Sequence, residues 1–233
     1  MLGELRRDVA TVRERDPAAR TAVEVALCYP GLHALWAHRV AHRLWLAGHP
    51  LGARVLAGVV RAWTGVDIHP AAVVGPGLFI DHATGVVIGE TSEIGTDVTI
   101  YQGVTLGGTA LETGKRHPTV GDRVTIGAGA KVLGPVTVGS GSRIGANAVV
   151  VRDVPPDSVV VGVPGQVIAR SRPRGATARL DVEDALLPDL VGVPLGALQR
   201  QVDALEHEVH GSVRSHEIRP SEAGVWRGED FSI

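Results

Sequence analysis

The chain reads as an α+β protein. An N-terminal helical region precedes a parallel β-helix of six-residue repeats, and a partly helical or flexible C-terminal tail follows. Three observations predict this. Aliphatic residues recur every six positions through the middle of the chain, glycine directly follows many of them, and the stretch before the repeat instead places apolar side chains at spacings near 3.6. Hydrophobic residues make up 44% of the 233, aromatic ones 3%, and there are 30 glycines. That much apolar side chain excludes disorder, and glycines without a period of three exclude collagen.

Taken in order, residues 1–65 form a helical domain, 66–169 the repeat domain and 170–233 an extension. In the first, Asp16-Pro17 reads as an N-cap followed by proline at the first helical position, and Pro30-Gly31 breaks that helix. The next helix carries Leu32, Leu35, Trp36, Val40 and Leu44 on one broad face and is closed by Gly48. A fourth ends near Thr64-Gly65. In the extension, a helix is expected over 195–210 from the stripe Leu195, Leu198, Val202, Leu205 and Val209, and the polar end from Gly211 is expected to be mobile until bound.

The repeat begins its units at Ile68, Val74 and Ile80, then Ile88, Ile94, Ile100 and Leu106. It resumes at Val120, Ile126, Val132, Val138, Ile144 and Val150. A helix cannot keep a period of six in phase, and a strand of period two does not need a glycine at every sixth position. Short strands joined by tight corners satisfy both, three to a triangular coil, with each aliphatic pointing inward and small residues at the corners.

Two interruptions stand out. Ile80 to Ile88 is two residues too long and contains Asp81-His82; Leu106 to Val120 is eight too long and ends in Lys115-Arg116-His117. Insertions in a solenoid project as loops, commonly on the binding face. His69, His82 and His117 are therefore the candidate general bases, with Asp67 and Asp81 as acidic neighbours. Asp67 precedes His82 by slightly less than one regular coil of three units, which is expected to bring the two near one corner. A carboxylate there would fix the imidazole tautomer and stabilise its cation.

Other chemistries find less support. Catalytic zinc needs three protein ligands and an open position, and beyond His82 and His117 the chain offers Asp122 where hexapeptide-repeat carbonic anhydrases supply a third histidine. His38 and His42, four apart on a helix, lack a third ligand and read as a polar helix face. Gly108 to Lys115 misses the phosphate-loop spacing, and no G-x-S-x-G motif is present. The one cysteine, Cys28, excludes an internal disulfide, suggests a reducing compartment and reads as a packed small hydrophobe. A net charge of −2 supplies no field for nucleic acid. The charged N-terminus and the absence of a long apolar run point to a cytoplasmic protein with no membrane contact.

The strings Val66-Asp67-Ile68-His69-Pro70, Ile80-Asp81-His82-Ala83-Thr84-Gly85, Val104-Thr105-Leu106-Gly107-Gly108 and Arg116-His117-Pro118 resemble bacterial serine O-acetyltransferase. Arg15-Asp16-Pro17-Ala18 and Gly31-Leu32-His33-Ala34 fit its helical region, and the resemblance spans about residues 10–165. It implies a left-handed β-helix and direct transfer of acetyl from acetyl-CoA to the hydroxyl of L-serine, the first step of cysteine biosynthesis. His82 would be the base and Asp67 its orienting partner. Asp16 and Asp81 would hold the serine, and Arg116 and His117 would complete the pocket from a neighbouring subunit. Gly108, Ala128 and Ala146 would hydrogen-bond CoA through backbone groups, with no metal.

It further implies a homotrimer, which longer members join into a hexamer through a larger helical region. L-cysteine would be a feedback inhibitor, and the terminal Ile233 would insert into cysteine synthase (O-acetylserine sulfhydrylase). Within the fold, the alternative is acetyl transfer to a sugar or another small hydroxyl acceptor. Outside it, the alternative is an inactive scaffold that only binds cysteine synthase.

Overall fold

A computed structural model describes residues 2–170 and 198–205. Among these, four helices come first: α1 (Leu2–Arg15), α2 (Ala22–Cys28), α3 (Pro30–Leu46) and α4 (Pro50–Thr64). Asp16-Pro17 does not start a helix. The second helix is capped by Thr21, whose hydroxyl accepts from the Glu24 N–H while the Glu24 carboxylate accepts from the Thr21 N–H. This reciprocal cap satisfies donors that Pro17 could not. Pro30 does break the helix, as the first residue of α3, and Gly48 and Gly65 take the left-handed conformation at the ends of α3 and α4.

Short strands follow: β1 (Asp67–Ile68), β2 (Val73–Val74), β3 (Phe79–Ile80), β4 (Val87–Ile88), β5 (Glu93–Ile94), β6 (Thr99–Ile100), β7 (Thr105–Gly107), β8 (Thr119–Val120), β9 (Thr125–Ile126), β10 (Lys131–Leu133), β11 (Thr137–Val138), β12 (Arg143–Ile144), β13 (Val149–Val150), β14 (Ser158–Val161) and β15 (Gln166–Arg170). Every aliphatic residue that opens a repeat unit lies in one of β1 to β13. The strands stack as three parallel sheets, the faces of the expected left-handed β-helix. The first face is β1-β4-β7-β10-β13, the second β2-β5-β8-β11, and the third runs β3-β6-β9-β12-β14.

Two-residue strands have negligible stability of their own. The aliphatics instead form one continuous buried column, with Ile88, Ile100, Leu106, Ile126 and Val138 among its members. Each buried aliphatic is worth about 1.5–3 kcal/mol, more than strand propensity supplies, so the stacking sets the coil. The antiparallel pairing of β15 on β14 is not legible in the repeat.

A smaller core joins the helices to the coil: Val12 of α1, Val25 of α2, Leu32 of α3 and Phe79 of β3. Arg15, at the end of α1, reaches the coil and donates to the Thr99 hydroxyl (3.0 Å) and the Val98 carbonyl (3.3 Å). Buried Asp8 accepts from Arg39 (2.5 and 2.8 Å) and from the Trp36 indole (3.0 Å), tying α1 to α3. Of the expected α3 face, Leu32 and Leu35 are buried and Val40 is exposed, while Ala34, His38 and Ala41 complete the buried side. His38 is therefore a core residue and not part of a polar face. Cys28 is exposed at the end of α2, a helix whose buried side is Val25. In the separate C-terminal unit residues 198–205 are helical, and the rest of the expected 195–210 helix lies outside the described residues, as does Ile233. No described helix is long and apolar enough to cross a membrane.

Candidate active site

Titratable side chains gather at two different corners of the coil. The first group lies where the third face turns into the first. Asp81 and His82 follow β3 there, and the backbone enters the left-handed region at His82 (φ 55°) and Ala83 (φ 48°). Non-glycine residues rarely adopt that conformation; here it lifts the imidazole off the coil, with 74% of its side chain exposed. The Asp81 carboxylate accepts the His82 N–H (2.9 Å) and lies 4.0 Å from His82 Nε2. Burial raises the Asp81 pKa against the opposing charge of His82, and nearby Asp16 adds to the rise.

Asp16 arrives from the end of α1, far away along the chain, because the Val12–Phe79 core and Arg15 pin that end beside β3. Its carboxylate accepts the Ala18 N–H (2.8 Å) and the Tyr29 hydroxyl. Burial, then the Asp16 hydrogen bond, raises the Tyr29 pKa, and burial does the same to Tyr101. The strand register carries this corner upward. Ile80, Ile100, Ile126 and Ile144 stack in β3, β6, β9 and β12, so Ala128 and Ala146 lie in a column above His82.

The second group lies where the first face turns into the second. Arg54, Asp67, His69, Glu90, Arg116 and His117 line a cleft of about 270 Å³. Arg116 pairs with Glu90, and Asp67 with Arg61 at 3.2 Å. His117 is buried, and burial followed by the Arg116 charge lowers its pKa. A Cβ on Gly108 would lie 3.1 Å from His117 Nε2, so Gly108 belongs to this corner.

The structure thus unites Asp16 with Asp81 and His82, and Asp67 with Arg116 and His117. Within one chain it forms no ion pair between Asp67 and His82. Asp67 stands opposite Val87 at the start of the first face, past the corner where His82 turns out. Among the described residues no hydrogen bond or ion pair joins the two groups. Nor does any set of three or more His, Cys, Asp or Glu residues converge in metal-ligand fashion among them. Tyr29, Tyr101, Arg54, Glu90 and Thr91 carry no mark of the site in the repeat pattern. Spacing alone can place Glu90 and Thr91, which precede Arg116 and His117 by one coil plus the second insertion.

A family model described as "Bacterial transferase hexapeptide (six repeats)" matches residues 117–152. A serine acetyltransferase of Mycobacterium tuberculosis is 61% identical over 233 residues, all of both chains. The chain belongs to the serine acetyltransferase family. It is an acetyl-CoA-dependent acyltransferase of cysteine biosynthesis. A Neisseria gonorrhoeae serine acetyltransferase solved in complex with serine is 48% identical, with a TM-score of 0.69 over 71% of this chain and 68% of that one. A serine acetyltransferase solved in complex with cysteine is 44% identical, with a TM-score of 0.72 over 73% of this chain and 66% of that one.

Proposed function

We propose that the two corners are halves of one serine-acetylating site, completed when a second copy of the chain sets its Asp67, Arg116 and His117 against the Asp16, Asp81 and His82 of the first. The observation that carries this reading is the division itself. One corner holds the anions suited to an ammonium group and the base. The other holds the Arg fork suited to a carboxylate. An amino-acid zwitterion needs both, and a sugar acceptor needs neither.

In this site His82 takes the serine hydroxyl proton as the oxygen attacks the thioester carbonyl of acetyl-CoA. The C–O bond forms, the C–S bond breaks, and the proton leaves with the CoA thiolate. Asp67 of the neighbouring copy orients the imidazole and stabilises its cation. Backbone groups at Ala128 and Ala146, above His82, and at Gly108 of the other copy bind CoA along the groove between subunits. L-cysteine, bearing the same ammonium and carboxylate, competes for the pocket; the relative solved with cysteine supports this.

Copies arranged head to tail make a trimer. Exposed Leu51, Val55, Val59 and Trp63 form an apolar stripe on α4, the helix that also presents Arg54. The protein works in the cytoplasm, and its Ile233 engages cysteine synthase. Deleting that residue should abolish co-purification with the synthase and spare acetyl transfer.

Subunit mixing tests the shared site. His82→Ala and Arg116→Ala homotrimers should each lose activity, by about 10²–10⁴ for the lost base. Co-expressed at equal levels they should recover roughly a quarter of wild-type thiol release, because one site in four then has both intact halves. L-cysteine should raise the serine KM of the recovered activity. No recovery would place the whole site within one subunit.

A further inference from the structure

We infer that Thr91 is a positioning residue for Arg116 and His117, and that its hydroxyl holds His117 as the Nε2–H tautomer, ready to donate to the substrate carboxylate. The inference rests on the reading above, in which these two residues complete the serine pocket.

Thr91 sits in the turn between β4 and β5, one coil below the end of the insertion, and every polar atom it has is committed there. Its hydroxyl oxygen accepts the backbone N–H of Arg116 and of His117, both at 3.0 Å. Its own N–H donates to His117 Nδ1 at 3.2 Å, and its carbonyl accepts the Lys115 ammonium at 2.8 Å. With both oxygen lone pairs filled, the hydroxyl proton has one partner left, His117 Nδ1 at 3.0 Å. Nδ1 is therefore an acceptor twice over, and the ring proton sits on Nε2.

Flanking residues complete the clasp. Glu90 pairs with the Arg116 guanidinium, and Glu93 with Lys115 at 2.9 Å. The ring has no room to turn away: a Cβ on Gly89 would meet His117 Cδ2 at 2.0 Å. The second insertion contains no strand, so this turn is what delivers a loop end to a fixed position. A free histidine divides its neutral form between two tautomers; here the hydrogen bonds choose one, and Nε2–H is a donor to an anion without being charged.

The test uses the full-length enzyme with L-serine and acetyl-CoA. Thr91→Val should raise the serine KM tenfold or more while kcat at saturating serine changes less than threefold, and Thr91→Ser should restore KM to within about twofold, because the hydroxyl is the working group. In ¹⁵N-histidine spectra of the wild-type enzyme, with His117 assigned by its loss in His117→Ala, Nδ1 should be unprotonated and Nε2 protonated. A proton on Nδ1, an unchanged KM in Thr91→Val, or failure of Thr91→Ser to restore it would each overturn the inference. The tautomer decides alone if Thr91→Val does not fold. An unchanged serine KM in His117→Ala would instead overturn the pocket reading, separately from the role of Thr91.

Discussion

Burial shifts the ionisation of several residues more than neighbouring charge does, whereas Glu90 is lowered first by its hydrogen bond to Arg116. The largest cause of the shifts at His38, His69, Asp81 and His117 is desolvation in each case. His38 is the extreme: its pKa falls from 6.5 to about 4, through burial first and the charge of His42 second. Its Nδ1 has no hydrogen-bond partner among the described residues. A folded pKa below the unfolded one means that the unfolded chain binds more protons between the two values. The contribution of His38 is therefore complete above 6.5 and is lost as pH falls toward about 4, by about 3 kcal/mol. His38→Leu should remove this part of the acid sensitivity. Urea melts between pH 4 and 7 should show wild type and variant converging or crossing toward acid pH. A constant difference across that range would contradict the assignment.

Elements are held in place by close backbone approaches. At Gly31, in the first turn of α3, an added Cβ would sit 2.1 Å from the Ile80 carbonyl oxygen. Rigid backbone stands on both sides, so α3 must lift from β3. Gly31→Ala should cost about 1–3 kcal/mol by overpacking. It should also move Asp81 and His82, which follow Ile80 directly, so the serine kcat/KM should fall alongside the thermal midpoint. Retained stability with full activity would show that α3 can shift freely. At this scale the sequence was informative in one direction: proline and glycine marked the helix ends at Pro30, Gly48 and Gly65. It misled at Asp16-Pro17, because an aspartate before a proline serves equally well as a loop carboxylate receiving Ala18 N–H and Tyr29 hydroxyl.

For the whole molecule, the proposed trimer rests on the separation of the two corners. A chain that cannot bring Arg116 to its own His82 gains by presenting each to another copy. In that proposal the exposed stripe on α4 would supply apolar surface for the contact. Val55→Glu with Val59→Glu should leave the far-ultraviolet circular dichroism unchanged and reduce the mass in light scattering from trimer to monomer. Acetyl transfer should then drop by about 10²-fold or more, as for loss of the base from a site. A stable trimer with full activity would show that the stripe lies outside the contact.

The six-residue period by itself determined the coil and the placement of its buried column, because a repeat of that length has a single way to keep every aliphatic inside. Its two interruptions singled out His82 and His117, since a residue outside the repeat has no structural duty to the coil. Tertiary structure decided which residues meet. Asp16 reaches Asp81 only through the Val12–Phe79 core, and Asp67 falls in with Arg116 and His117 because it opens the first face, opposite Val87 and past the corner that turns His82 out. Thr91 acquires its role only when stacking sets one coil upon the next. Period is a local property that a chain displays along its length, whereas contact between coils depends on how much chain each turn consumes.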